Sequence, residues 1–133
     1  MLPITTILAS LLSLMFVWLS IQVIKRRRQL KVLIGAGGQQ ELEWAIRAQG
    51  NFSEYVPIAL ILFACAEYNG TDWWILSICA AMLVCGRSLH AYGFLNSRDN
   101  LNFRVNGMKL TFWTIGVLSI WNMGLLGYQL LTS

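Results

Sequence analysis

Charge is scarce in this sequence. Only 12% of the 133 residues are Asp, Glu, Lys or Arg, and 56% are hydrophobic. Soluble domains usually carry about 25% charged residues, so an ordinary water-soluble fold is excluded. Proline is nearly absent, with two residues, and no Ser- or Gly-rich tract offers a flexible linker. One integral membrane domain over residues 1–133 is therefore expected. The three cysteines, Cys65, Cys79 and Cys85, stand in apolar runs with no metal-ligand spacing. Their odd number argues against a disulfide-stapled secreted domain. They read as small buried apolar residues, and no metal is expected.

Where charge is missing altogether, the chain reads as membrane spans. Met1 to Ile24 holds no charged side chain, and neither does the stretch 110–133. About twenty apolar residues match the hydrocarbon core of a bilayer. A cleaved signal peptide carries its positive charge before the apolar run. Here the charge follows it, which predicts a retained helix. The middle of the chain is more polar. Tyr55–Ala66 is apolar but too short to cross alone, so this helix must take in the polar residues before it. The expected layout is an all-α, four-transmembrane-helix bundle with helices at about 2–27, 40–69, 73–95 and 106–131.

The charge that is present is unevenly placed. Five of the ten basic residues, Lys25, Arg26, Arg27, Arg28 and Lys31, fall within seven positions. Arg98, Arg104 and Lys109 follow the third span, and the second loop has no base. The positive-inside rule then puts the first and third loops in the cytoplasm and both termini outside. Trp73 and Trp74 are expected at the outer interface. The GAGG at 35–38 lacks the preceding strand and spacing of a phosphate loop, and reads as a flexible break.

The polar residues within the spans form a pattern. Arg47, Asn51, Glu54 and Tyr55 stand at i, i+4, i+7 and i+8, one face of a helix, with Gln40 and Trp44 continuing it. Arg87, His90 and Phe94 share a face of the third helix. Charged groups in a membrane helix turn to a bundle interior or a wet cavity, so helices two and three are expected to line a polar pocket in the cytoplasmic half. Arg104, Arg27 and Arg28 arrive at the same depth. Internal ion pairing, such as Arg87 with Glu54, is the plain structural reading. One acid cannot neutralise so many guanidinium groups, however. The surplus suggests an anionic ligand bearing carboxylates and an amine, since guanidinium forks suit carboxylates. Pro57 falls just after the polar face, where it either kinks the helix and opens space or is tolerated as prolines in membrane helices are.

RAQGNFSEYVP, residues 47–57, resembles the second-helix signature of the MAPEG family, which includes microsomal glutathione transferases, leukotriene C4 synthase and microsomal prostaglandin E synthase. GRSLHAYGF, residues 86–94, resembles the third-helix signature. The nearest likeness is to small bacterial members, which implies a multi-pass protein of the bacterial inner membrane. The resemblance also implies a homotrimer with glutathione as co-substrate, held between subunits in the cytoplasmic half. Position by position, Arg47, Gln49, Asn51, Glu54 and Tyr55 match residues that hold the tripeptide. Arg27 or Arg28 matches a base near one of its carboxylates. Arg87 shares the ligand-facing helix with His90 and Phe94, which match tyrosine or histidine contacts; Phe94 lacks the hydroxyl of the tyrosine found in several members. Arg104 in NFRVNG matches the arginine that stabilises the glutathione thiolate, and Arg98 competes for that role.

The function implied is a membrane-bound glutathione transferase, or glutathione peroxidase, acting on a lipophilic electrophile or lipid hydroperoxide in detoxification. The surrounding partner is the lipid bilayer, with no nucleic acid. The alternative within the same fold is a non-catalytic lipid- or ligand-binding protein, which would bind without forming thiolate. A small multidrug exporter is a third reading, but such proteins carry their membrane acid in the first helix, where this chain has no charge.

Overall fold

The computed structural model describes residues 1–97 and 100–132. It contains α1 (Pro3–Leu30), α2 (Gln40–Tyr68), α3 (Trp73–Leu95) and α4 (Leu101–Thr132). Short connections make successive helices antiparallel. The end of α1, the start of α2, the end of α3 and the start of α4 therefore share one end of the bundle. Three helices, α1, α3 and α4, are long and apolar enough to cross a membrane. Helix α2 falls short by composition because Glu41, Glu43, Arg47 and Glu54 crowd its first half. It compensates by position, since it packs against each of the other three.

Helix α2 is the core element. It buries Leu42, Ala45, Ala48, Phe52, Val56, Ala59, Phe63 and Ala66, spaced three or four residues apart. That stripe meets Leu8, Leu12 and Leu19 of α1, Leu76 and Leu83 of α3 and Leu118 of α4. Alanines on the stripe let neighbouring backbones come close, as small residues do in membrane bundles. The outer faces are apolar: Ile7, Leu14, Val17 and Ile21 on α1 and Phe112, Trp113, Val117 and Ile120 on α4 are exposed. Trp73 and Trp74 stand exposed at the end opposite the basic cluster, where amphipathic rings suit a membrane–water boundary.

Two helix limits differ from the sequence reading. Helix α1 continues through the basic cluster to Leu30 and ends at Lys31, whose N–H bonds the Arg27 carbonyl and whose left-handed backbone (φ 55°) turns the Val32 N–H onto the same oxygen (3.1 Å). Cations in the last turn suit the negative end of the helix dipole. Helix α4 begins at Leu101 rather than 106, with the Asn102 N–H donating to Asn100 Oδ1 (3.0 Å). Arg104 thus lies in the first turn of α4, not ahead of it. Helix α2 runs through Pro57, which is exposed, beside an apolar groove of about 310 Å³ lined by Leu12, Phe16, Phe52, Val56 and Leu60. Of the cysteines only Cys79 is buried; Cys65 and Cys85 are exposed on outward helix faces. The GAGG segment forms a turn with positive φ at Gly35, Gly37 and Gly38.

Helices α3 and α4 approach most closely. A Cβ placed on Gly107 would lie 2.6 Å from the Gly86 carbonyl oxygen and 2.7 Å from the His90 nitrogen. A Cβ on Gly116, Gly124 or Gly127, further along α4, would meet nothing within 4 Å in this chain. At the opposite end of the bundle, Glu67 bridges α2 to α1. Its two carboxylate oxygens accept from the Ile4 and Thr5 N–H groups, each at 2.8 Å, satisfying donors that a helix start leaves free.

Gly107→Ala is expected to force the α3 and α4 backbones apart and to destabilise the protein by about 1–3 kcal/mol. Gly124→Ala should be neutral or slightly stabilising, because alanine favours helix where nothing clashes. Thermal unfolding in detergent compares the two. Glu67→Gln should lose about 1 kcal/mol of capping and speed amide exchange at Ile4 and Thr5, read by hydrogen-exchange mass spectrometry.

Candidate functional site

The polar residues gather at the end of the bundle that carries the basic cluster. Arg87, on the inner face of α3, is only 1% exposed. Its Nη2 donates to Asn51 Oδ1 of α2 at 2.6 Å. Its Nη1 points toward Thr111 Oγ1 (3.4 Å) and Met108 Sδ (3.7 Å) of α4. The guanidinium also lies 5.7 Å from the centre of the Phe52 ring. Among the described residues no carboxylate reaches it. The expected structural pair, Arg87 with Glu54, does not form. Glu54 is exposed, and its place beside Arg87 is taken by the neutral Asn51 amide.

This arrangement fixes the Asn51 side chain. With Oδ1 accepting from Arg87, the amide nitrogen is turned away from it as a donor. Among the described residues that nitrogen has no hydrogen-bond acceptor, and Asn51 is half-buried. Thr111 is held in turn, since its hydroxyl donates to the Gly107 carbonyl (2.9 Å) one turn back.

One turn beyond Arg87, His90 is 4% exposed. Its Nδ1 lies 3.0 Å from the Arg104 carbonyl oxygen. A carbonyl only accepts, so Nδ1 carries the proton and Nε2 of the neutral ring is a bare acceptor. Nε2 is buried and has no partner among the described residues. The imidazole meets Phe94 edge-on, centroids 5.1 Å apart.

Arg104 enters this cluster from α4. Its guanidinium lies 4.9 Å from the Trp44 ring and 5.0 Å from the Phe94 ring. Those two rings stand edge to face, 6.1 Å apart. Cation–π contact of this kind helps to hold a guanidinium in place. Gly93 makes room for it, because a Cβ there would sit 2.7 Å from Arg104 Cγ.

The remaining sequence candidates are distributed around this centre. Tyr55 packs edge-on against Phe112 of α4, centroids 5.4 Å apart. Gln49 is half-buried, and Arg47 and Glu54 project from α2 on the side away from its alanine stripe. Arg27 folds back on the first loop, donating to the Leu33 carbonyl (3.2 Å) and the Gly35 carbonyl (2.9 Å). Arg28 is exposed. Arg98 lies outside the described residues. Asn51, Arg87, His90, Phe94 and Arg104 are thus brought together, while Arg47 and Glu54 line an outer flank of the same end.

Sequence reading gave no role to Phe52, Thr111 and Met108, nor to the glycines that admit them. Gly86 and Gly93, two helical turns apart on α3, were a readable sign of close packing. So was Gly107 one turn before Thr111. Their partners lie on another helix, so the sign did not say what would fill the space.

The layout has relatives. The model of the MAPEG family matches residues 5–124. Over 130 residues the chain is 34% identical to the inner membrane protein YecN of Escherichia coli (strain K12), an alignment that covers 98% of each chain. The YecN protein of Escherichia coli O6:H1 matches to the same extent. Four packed helices, apolar outer faces and a match along nearly the whole chain make this protein an integral membrane member of the MAPEG family.

Proposed function

We propose that this protein is a membrane-bound glutathione transferase that activates the glutathione thiol for attack on lipophilic electrophiles, lipid hydroperoxides included. The observation that carries the reading is the surplus of positive charge at one end of the bundle. Arg87 is buried with no carboxylate in reach among the described residues, and Arg104 lies against two rings close by. An anion is the natural complement to such a site.

Glutathione supplies two carboxylates, an ammonium group and a thiol. Arg47 with Arg27 or Arg28 suits the carboxylates, Glu54 the ammonium, and the outward donor of Asn51 a peptide carbonyl. Gln49, Tyr55, His90 and Phe94 complete the wall. Arg47 and Glu54 are exposed on a single chain at a level where lipid would make bare charge expensive. A homotrimer, with a neighbouring copy and the tripeptide covering that flank, removes the difficulty. The positive-inside rule favours a cytoplasmic site with both termini outside, and the name of the relative agrees with a place in the inner membrane.

The chemistry asks little of the protein beyond position and charge. The reactive form is the thiolate, and a free thiol has a pKa near about 8.5. A guanidinium beside it favours the charged form, and each unit of lowering corresponds to about 1.4 kcal/mol. Arg104 is the group assigned to this task, with Arg98 the competitor. The thiol proton leaves to water, the sulfur bonds to the electrophilic carbon, and the leaving group departs with the electron pair. With a hydroperoxide the sulfur bonds to the terminal oxygen, the O–O bond breaks, the alkoxide leaves and takes up a proton, and a second glutathione reduces the resulting sulfenic acid to give the disulfide and water. The groove beside Pro57 reaches Phe52, which touches Arg87, and offers an apolar approach from the bilayer side.

The ultraviolet difference spectrum of detergent-solubilised protein on adding glutathione tests this directly. A saturable thiolate absorbance near neutral pH is expected. Binding by calorimetry without thiolate would support a non-catalytic ligand-binding protein, and no binding would defeat the proposal. Arg104→Ala should keep the fold and most binding yet lose most thiolate formation and turnover; unchanged turnover would transfer the role to Arg98. Asn51→Asp keeps an acceptor for Arg87 but loses the outward donor, so the fold should hold while glutathione affinity falls roughly tenfold or more. Glu54→Ala should weaken binding by a similar factor, and normal affinity in either variant would displace the proposed binding face.

A further inference from the structure

We propose that the turn joining α1 and α2 is an anchor for anionic phospholipid headgroups, with Leu33 and Ile34 as its apolar insert. Three observations converge on it. The charge-free part of α1, Pro3 to Ile24, spans about 33 Å at 1.5 Å per residue, close to the roughly 30 Å of a hydrocarbon core. Lys25 onward therefore emerges at headgroup level. Lys25, Arg28 and Lys31 are exposed there, and no acid occurs from Lys25 to Gln40. A cluster of this size beside a membrane helix attracts anionic lipid.

The second observation is that the turn presents aliphatic side chains outward. Leu33 and Ile34 are each 91% exposed, although the turn is not loosely held. Val32, just before them, packs against the core, and its N–H bonds the Arg27 carbonyl (3.1 Å).

The third observation is how that presentation is fixed. Arg27 donates to the carbonyls of Leu33 and Gly35, clamping the backbone on both sides of Ile34. Gly37 has a positive φ and no room for a side chain, since a Cβ would lie 3.0 Å from Val32 Cγ2. The clamp turns Val32 inward and leaves its two neighbours outside. Two aliphatic side chains held in water are unfavourable. The same pair dipped among headgroups, with cations around them, is an amphipathic interfacial contact. The occupant that answers both the charge and the apolar surface is a phospholipid bearing a net negative headgroup.

The test uses the full-length protein in neutral detergent with added phosphatidylglycerol, phosphatidylcholine or inorganic phosphate. Lipid retention is read by native mass spectrometry and thermal stability in parallel. Saturable retention of phosphatidylglycerol is expected, about tenfold stronger than of phosphatidylcholine. Lys25→Gln with Lys31→Gln should abolish that preference, since roughly fivefold per cation over two cations exceeds it. Leu33→Ser with Ile34→Ser should weaken retention of the anionic lipid and leave the subunit count unchanged. Equal retention of the two lipids would overturn the proposal. Competition by inorganic phosphate as effective as that by lipid would make this a soluble-anion site instead. A serine variant that loses subunits while retaining phosphatidylglycerol would show that a second copy of the chain covers the turn. If a double variant loses helical content, Lys25→Gln and Ile34→Ser alone carry the same comparison.

Discussion

The contact on which the site depends is the backbone approach of α3 to α4 through Gly86, Gly93 and Gly107. Helices that carry side chains at every contact pack about 8–10 Å apart. Here glycine lies on both surfaces, and the backbone of one helix touches that of the other. The closeness has chemical consequences. It lets the His90 ring reach the Arg104 carbonyl across the interface. It brings Thr111 and Met108 under the Arg87 guanidinium. It also lets the Arg104 stem pass over Gly93 to reach Trp44 and Phe94.

The second constraint is electrostatic. A buried guanidinium without a counter-ion is costly, and its cost is reduced by hydrogen bonds and by aromatic faces. Both devices are used here. Arg87 has an amide and a hydroxyl oxygen, with Phe52 nearby, and Arg104 has two rings. For Arg87 the device does not cancel the charge, since no carboxylate reaches it among the described residues; low polarity around it extends the reach of that charge. Helix α2 makes this possible by being the central element. Its polar first half lies on a flank next to the charged cluster, and its alanine-rich stripe holds the other helices together.

The two ends of the molecule are built differently. At the site end, polar groups are left with unused capacity: the Asn51 amide nitrogen and His90 Nε2 have no partner among the described residues. Toward the other end the inter-helix polar contacts are direct, although Thr5 Oγ1 and Asn122 Oδ1 are buried without a partner among the described residues. Glu67 caps α1, the Trp121 indole donates to Thr71 (3.0 Å), and Asn122 donates to the Leu62 and Leu118 carbonyls. Satisfied polar contacts rigidify a bundle, and those at Glu67, Trp121 and Asn122 tie α1, α2 and α4 together there.

The helical layout was legible from the chain alone because the bilayer imposes a simple rule. Runs without charge from Met1 to Ile24 and from residue 110 onward had to be spans, and α2 had to borrow polar residues to reach sufficient length. The spacing of Arg47, Asn51, Glu54 and Tyr55 placed them on one side of a helix, since that depends only on 3.6 residues per turn. What periodicity cannot supply is where the edge of burial cuts across such a face. The tertiary structure decided that Asn51 turns in to Arg87 while Arg47 and Glu54 stay out, because Phe52 and the alanine stripe set the rotation of α2. It likewise decided that Gly107, and not Gly116, is the point of close contact, and that the GAGG turn is held in shape by Arg27. Each of these depends on atoms from segments distant in sequence, and one-dimensional spacing carries no information about which segments will meet.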